Sequence, residues 1–103
     1  MTTLSYREAA NDSRYRVRDM DLGGFTFSET ILHAGQSTRG HAHPWPEVYL
    51  GMDGFGIIYL DGDDHGIAPG ALFVIPGGVH HRVTTESGIA FACFFSGGRA
   101  NDK

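Results

Sequence analysis

The stretch GQSTRGHAHPWPEVYLGMDG, Gly35 to Gly54, sets two histidines two residues apart and a glutamate four residues later, inside a glycine-bracketed run of apolar and aromatic residues. Polar groups in such a run are expensive to bury without partners. On a strand, residues i and i+2 face the same way, so His41 and His43 project together and Glu47 keeps their parity. Pro44 and Pro46 flank Trp45 and cannot donate to a sheet ladder. They predict a stiff bulge or turn that re-aims the chain before Glu47. Two imidazoles and a carboxylate on one inward face are the donor set of a first-row transition-metal site. A fourth donor is expected from a distant strand.

Around this stretch, strand-like pieces recur at short spacing: YRV, GFTFSETILHAG, TRGHAH, EVYLGM, FGIIYL, ALFVIP, HRVTT and IAFACFF. Turn clusters separate them, among them DLGG, AGQS, GMDG, DGDDHG and PGG. Many short strands with regular turns predict an all-β sandwich or barrel. DGDDHG, Asp61 to Gly66, has the opening of a calcium loop, but His65 and Leu72 stand where oxygen ligands belong. A hairpin turn explains it better.

With 103 residues the chain is expected to form one domain. Its core spans about residues 24–95, residues 1–14 form an arm or short helix, and 96–103 form a frayed tail. A net charge of −4, with one lysine and seven scattered arginines, argues against nucleic-acid binding. The lone lysine is Lys103, at the extreme C-terminus, which argues against Schiff-base chemistry. One cysteine, Cys93, gives no disulfide framework. No apolar leader and no membrane-length apolar run are visible, so the expected location is the cytoplasm.

The fourth donor has a candidate in GALFVIPGGVHHRVTT, Gly70 to Thr85. With both stretches in hand, the chain resembles the cupin superfamily. Gly35, His41, His43, Glu47 and Gly54 fill its first motif; Gly70, Pro76, Gly78 and His81 fill its second. Thr85 replaces the usual asparagine, and 15 residues separate the motifs. The resemblance covers roughly Thr26 to Phe95. It implies a small cupin-type β-barrel or jelly-roll holding one divalent metal through His41, His43, Glu47 and His81. Iron, manganese or nickel is expected, with zinc as a further candidate. Such a metal keeps positions open for a small oxygen-rich molecule. Because neutral imidazoles are needed, binding should weaken as pH falls through the histidine range.

His80 and His81 are adjacent, so one faces inward, and the motif register selects His81. His33 and His65 read as a polar strand residue and an exposed turn residue. Tyr49 shares the parity of Glu47; these two are the catalytic candidates. Candidates for contact with substrate are Arg39 and Arg82, which neighbour the ligand strands, and Phe55 and Tyr59, if their face lines the cavity. The expected function is a metal-dependent enzyme, a dioxygenase first and an isomerase or lyase second. The alternative is a non-catalytic module binding a sugar or carboxylate. A homodimer is expected, through outward residues of TFSETIL or FACFF.

Overall fold

The computed structural model describes residues 5–96. All nine elements among them are strands: β1 (Arg7–Asn11), β2 (Tyr15–Asp21), β3 (Phe25–Leu32), β4 (Glu47–Gly54), β5 (Gly56–Leu60), β6 (Asp63–Ile67), β7 (Leu72–Ile75), β8 (His81–Thr84) and β9 (Ile89–Ser96). They form a six-stranded sheet in the order β1-β2-β3-β9-β4-β7 and a three-stranded sheet in the order β6-β5-β8, with antiparallel pairing throughout. This is the expected all-β jelly-roll.

Alternation along each strand sorts the side chains into an inner and an outer set. In β2, Tyr15, Val17 and Asp19 are buried; in β3, Thr26, Ser28, Thr30 and Leu32 are buried. Phe91, Cys93 and Phe95 of β9 and Tyr49 of β4 continue that inner face, and Ile58, Ile67 and Val83 oppose it from the smaller sheet. Each fully buried large side chain of this set stabilises the fold by about 1.5–3 kcal/mol relative to exposure.

Three local expectations change. The arm is a strand: β1 pairs with β2, joined by a turn in which Asp12 Oδ1 accepts from the N–H groups of Arg14 and Tyr15 at 2.8 and 3.1 Å. Residues 1–4 and 97–103, and with them most of the expected frayed tail, lie outside the described residues. TRGHAH is not a strand. Only isolated bridges occur there, Ser37 to Thr84 and His41 to His81, because Gly40 turns at φ 81° and the two prolines follow. His65 lies in β6, not in a turn, although it is exposed as expected. The turn itself is Asp61-Gly62, with φ of 50° and 94°, the left-handed pair that suits a two-residue hairpin.

Candidate metal centre

Glu47 opens β4, which runs between β9 and β7. Its inward parity, shared with Tyr49, leaves it 2% exposed. His81 opens β8 in the other sheet, inward with Val83, and is 1% exposed. His41 reaches the same place without a strand. Its N–H donates to the His81 carbonyl at 3.1 Å and its carbonyl accepts from the His81 N–H at 3.0 Å. Such a reciprocal pair puts the two side chains on one face. His43 lies on the proline strap that follows, tied down where the Gly78 N–H donates to its carbonyl at 2.7 Å.

One ligand atom from each of His41, His43, Glu47 and His81 falls within a mutual 4.8 Å. The Nε2 atoms of His43, His81 and His41 stand 2.9, 3.2 and 3.9 Å from Glu47 Oε1. The other ring nitrogen explains the orientation. His43 Nδ1–H donates to the Trp45 carbonyl at 2.7 Å, and His81 Nδ1–H donates to the Val79 carbonyl at 3.0 Å. A carbonyl only accepts, so Nδ1 carries hydrogen in both rings. In the neutral rings, Nε2 is then a lone pair aimed at a carboxylate oxygen. Acceptor facing acceptor is repulsive in a buried site, and a cation among them turns the repulsion into coordination. The donor set therefore fits a divalent transition metal, with a carbonyl orienting two of its three imidazoles.

The sequence did not foretell these supports. Trp45 supplies the carbonyl and also stacks its indole on the His43 ring, with centroids 4.8 Å apart and planes 10° apart. Val79 supplies the other carbonyl two residues before His81. The only signal was spacing: each carbonyl lies two residues from its histidine, a contact that backbone geometry alone decides.

The remaining candidates scatter. Tyr49 is 2% exposed and meets the His81 ring edge-on at 5.6 Å, with Phe91 stacked on its other side. His80 is exposed and packs its ring over Gly40. His33 is exposed. Tyr59 and Arg82 pair across β5 and β8, on the face opposite Ile58, Val83 and His81, with the guanidinium 4.5 Å above the phenol ring. Phe55, half exposed, lines an outer groove with Ile57, Tyr59 and Thr84. Arg39 is exposed, and its charge adds to those holding the Asp12 carboxyl below its usual range, where the Tyr15 N–H is the main cause. None of these four joins the histidine cluster. Cys93 is buried on the inner face, in register with Tyr49. Among the described residues, no helix is long and apolar enough to cross a membrane.

The Cupin domain family matches residues 28–95. Dimethylsulfoniopropionate lyase DddW of Ruegeria pomeroyi is 37% identical over 94 residues, covering 90% of this chain and 59% of the lyase. The chain thus spans about three-fifths of that relative's length. L-ectoine synthase of Rhodococcus opacus is 30% identical over 93 residues, covering 84% of this chain and 70% of the synthase. The crystal structure of an RmlC-like cupin from Shewanella frigidimarina superposes with a TM-score of 0.81 at 17% identity, covering 95% of this chain and 87% of that one. That last likeness is one of fold.

Proposed function

Since the chain belongs to the Cupin domain family, we propose that it is a metal-dependent enzyme of the lyase type acting on a small carboxylate. One divalent metal is held by His41, His43, Glu47 and His81. The observation that carries this reading is the convergence of two carbonyl-oriented imidazoles on Glu47 Oε1, at 2.9 and 3.2 Å. A bound iron, manganese, nickel or zinc ion supplies Lewis acidity toward substrate oxygens. The similarity to a lyase supports elimination over the oxygenation expected first from the sequence.

In an elimination of this kind, a base takes the proton from the carbon beside the carboxylate. The bond to the leaving group on the next carbon breaks, and a double bond remains. Glu47, buried and fixed by its strand, is the proposed proton acceptor. Tyr49, at the next inward position of β4, is the proposed hydroxyl donor to the charge that develops on the substrate carboxylate.

The test has two parts. Metal content is measured by mass spectrometry before and after chelation. The metal-loaded protein is then offered dimethylsulfoniopropionate under argon, with products followed by proton NMR. Turnover that needs metal but no dioxygen supports the proposal. Turnover only in air would replace it with oxygenation, and a protein that takes up no metal would end it.

We propose a second copy of the chain as the partner of the large sheet's outer face. Phe25, Ile31, Leu72, Val74 and Phe94 are all exposed on that face. Phe27, Phe94, Val48 and Val74 make one apolar row across four strands. A six-stranded face is about 25 Å wide and, with strands of four to eight residues, about 20 Å long; that is roughly 500 Å² in projection, the scale of a small interface beside the roughly 800 Å² per partner of a standard one. Arg16, Arg18 and Glu29 make the β2 side of this face charged, so the apolar part is the β3-β9-β4-β7 half; a two-fold axis through it covers that half of both copies at once.

A further inference from the structure

We propose that Gly77 is a positioning residue for the metal centre: the absence of a side chain there sets how closely the strap carrying His43 approaches the turn that leads to His81. This rests on the metal-site reading above. Gly77 lies in the Pro76-Gly77-Gly78 turn between β7 and β8. A Cβ at this position would meet the Pro44 carbonyl oxygen at 2.2 Å and its carbon at 2.9 Å, with the Trp45 carbonyl carbon at 3.5 Å. All three atoms are backbone, so no flexible side chain can swing away. Gly78, next in the turn, has φ 84° and open space where its Cβ would stand. Its conformation demands glycine, whereas at Gly77 the demand comes from contact.

The contact bears on coordination because the strap is stiff. Pro44 and Pro46 fix φ on either side of Trp45. Trp45 grips His43 twice, through its carbonyl on Nδ1 at 2.7 Å and through the stacked indole. The Gly78 N–H closes the assembly on the His43 carbonyl. A methyl group at 77 must push the strap back by about 1 Å to restore van der Waals distance. His43 then moves with its support, while His81, anchored through Val79 and through its bridge to His41, stays. Metal–ligand distances tolerate about 0.2 Å, so a shift of this size breaks the set.

The test compares Gly77→Ala with Gly51→Ala in the full chain, using cobalt(II) as probe. Gly51 is an equally crowded control, since a Cβ there would meet the Ala68 carbonyl oxygen at 2.1 Å. It lies four residues along β4 from Glu47, about 13 Å away. The readouts are the cobalt dissociation constant, the visible d–d bands and the metal-free Tm. Gly77→Ala should bind cobalt about 10–100-fold more weakly, with shifted bands. Gly51→Ala should lose Tm but keep the affinity and the spectrum.

Wild-type affinity and bands in Gly77→Ala would overturn the proposal, as would equal loss in both variants. A wild-type protein that binds no cobalt would instead sink the metal-site reading itself. Should Gly77→Ala not fold, Pro44→Ala is added to free φ at 44 and let the strap yield. That double variant should fold and still bind weakly, while Pro44→Ala alone binds near normally. Tight binding by the double variant would overturn the proposal.

Discussion

Replacing Glu47 with glutamine separates two effects that most substitutions at a metal centre confound. Glu47 is 2% exposed and faces the Nε2 atoms of three imidazoles, at 2.9, 3.2 and 3.9 Å. If the rings are neutral in the metal-free protein, the Nδ1–H bonds of His43 and His81 leave their Nε2 lone pairs pointing at an acceptor. The amide of Glu47→Gln has the same shape but carries two N–H donors. It exchanges repulsion for at least one hydrogen bond, a gain of about 1 kcal/mol. In a domain of this size that raises the metal-free Tm by about 4–8 °C. The metal-bound protein should respond in the opposite sense. At a hundredfold excess over Kd, a bound ion stabilises the native state by about 2.7 kcal/mol, or about 10–20 °C. Losing the one charged donor and weakening binding about a hundredfold shrinks that increment to about 2–3 °C. The assay is differential scanning calorimetry of the wild type and Glu47→Gln, each in chelator and in saturating metal, with bound metal counted by mass spectrometry. A substituted protein that melts well below wild type in chelator would refute the reasoning. Glu47 would then be holding charged imidazoles as an ion-paired cluster, with no need of a metal. Full metal content and an undiminished metal-induced shift would refute it from the other side.

Two further outcomes follow from the placement of neighbouring residues. His80→Ala should retain its metal, because that ring is exposed and packs over Gly40, whereas His81→Ala should lose most of it; elemental analysis of both proteins after identical loading decides. Val74→Glu, which sets a charge beside Val48 on the outer face of the large sheet, should convert a dimer to a monomer in light scattering while leaving cobalt affinity within about twofold, and a wild type already monomeric at tens of micromolar would remove the proposed partner.

Much of the site was legible because its signals are local. The spacing of His41, His43 and Glu47, and of Pro76, Gly78 and His81, can be read along the chain. Strand parity settles that Glu47 and Tyr49 share a face. The Asp61-Gly62 hairpin is equally local, because residues able to adopt positive φ carry the turn in themselves.

Parity does not say which face lies inside, and there the sequence ran out. Tyr59 and Arg82 stand one residue from inward positions, and only the register of β5 against β8 turns them to the outer face. The arm became a strand because β2 offered it an edge, a choice the weak pattern of residues 1–14 does not contain. His41 and His43 converge as the spacing predicted, but for another reason. A bridge to His81, forty positions away, holds the first, and a strap pressed against Gly77 holds the second. The sequence by itself determined which side chains are chemically suited to a metal and which of them travel together along the chain. The tertiary structure alone decided how far apart they stand, because that distance is set by backbone contacts between segments distant in sequence.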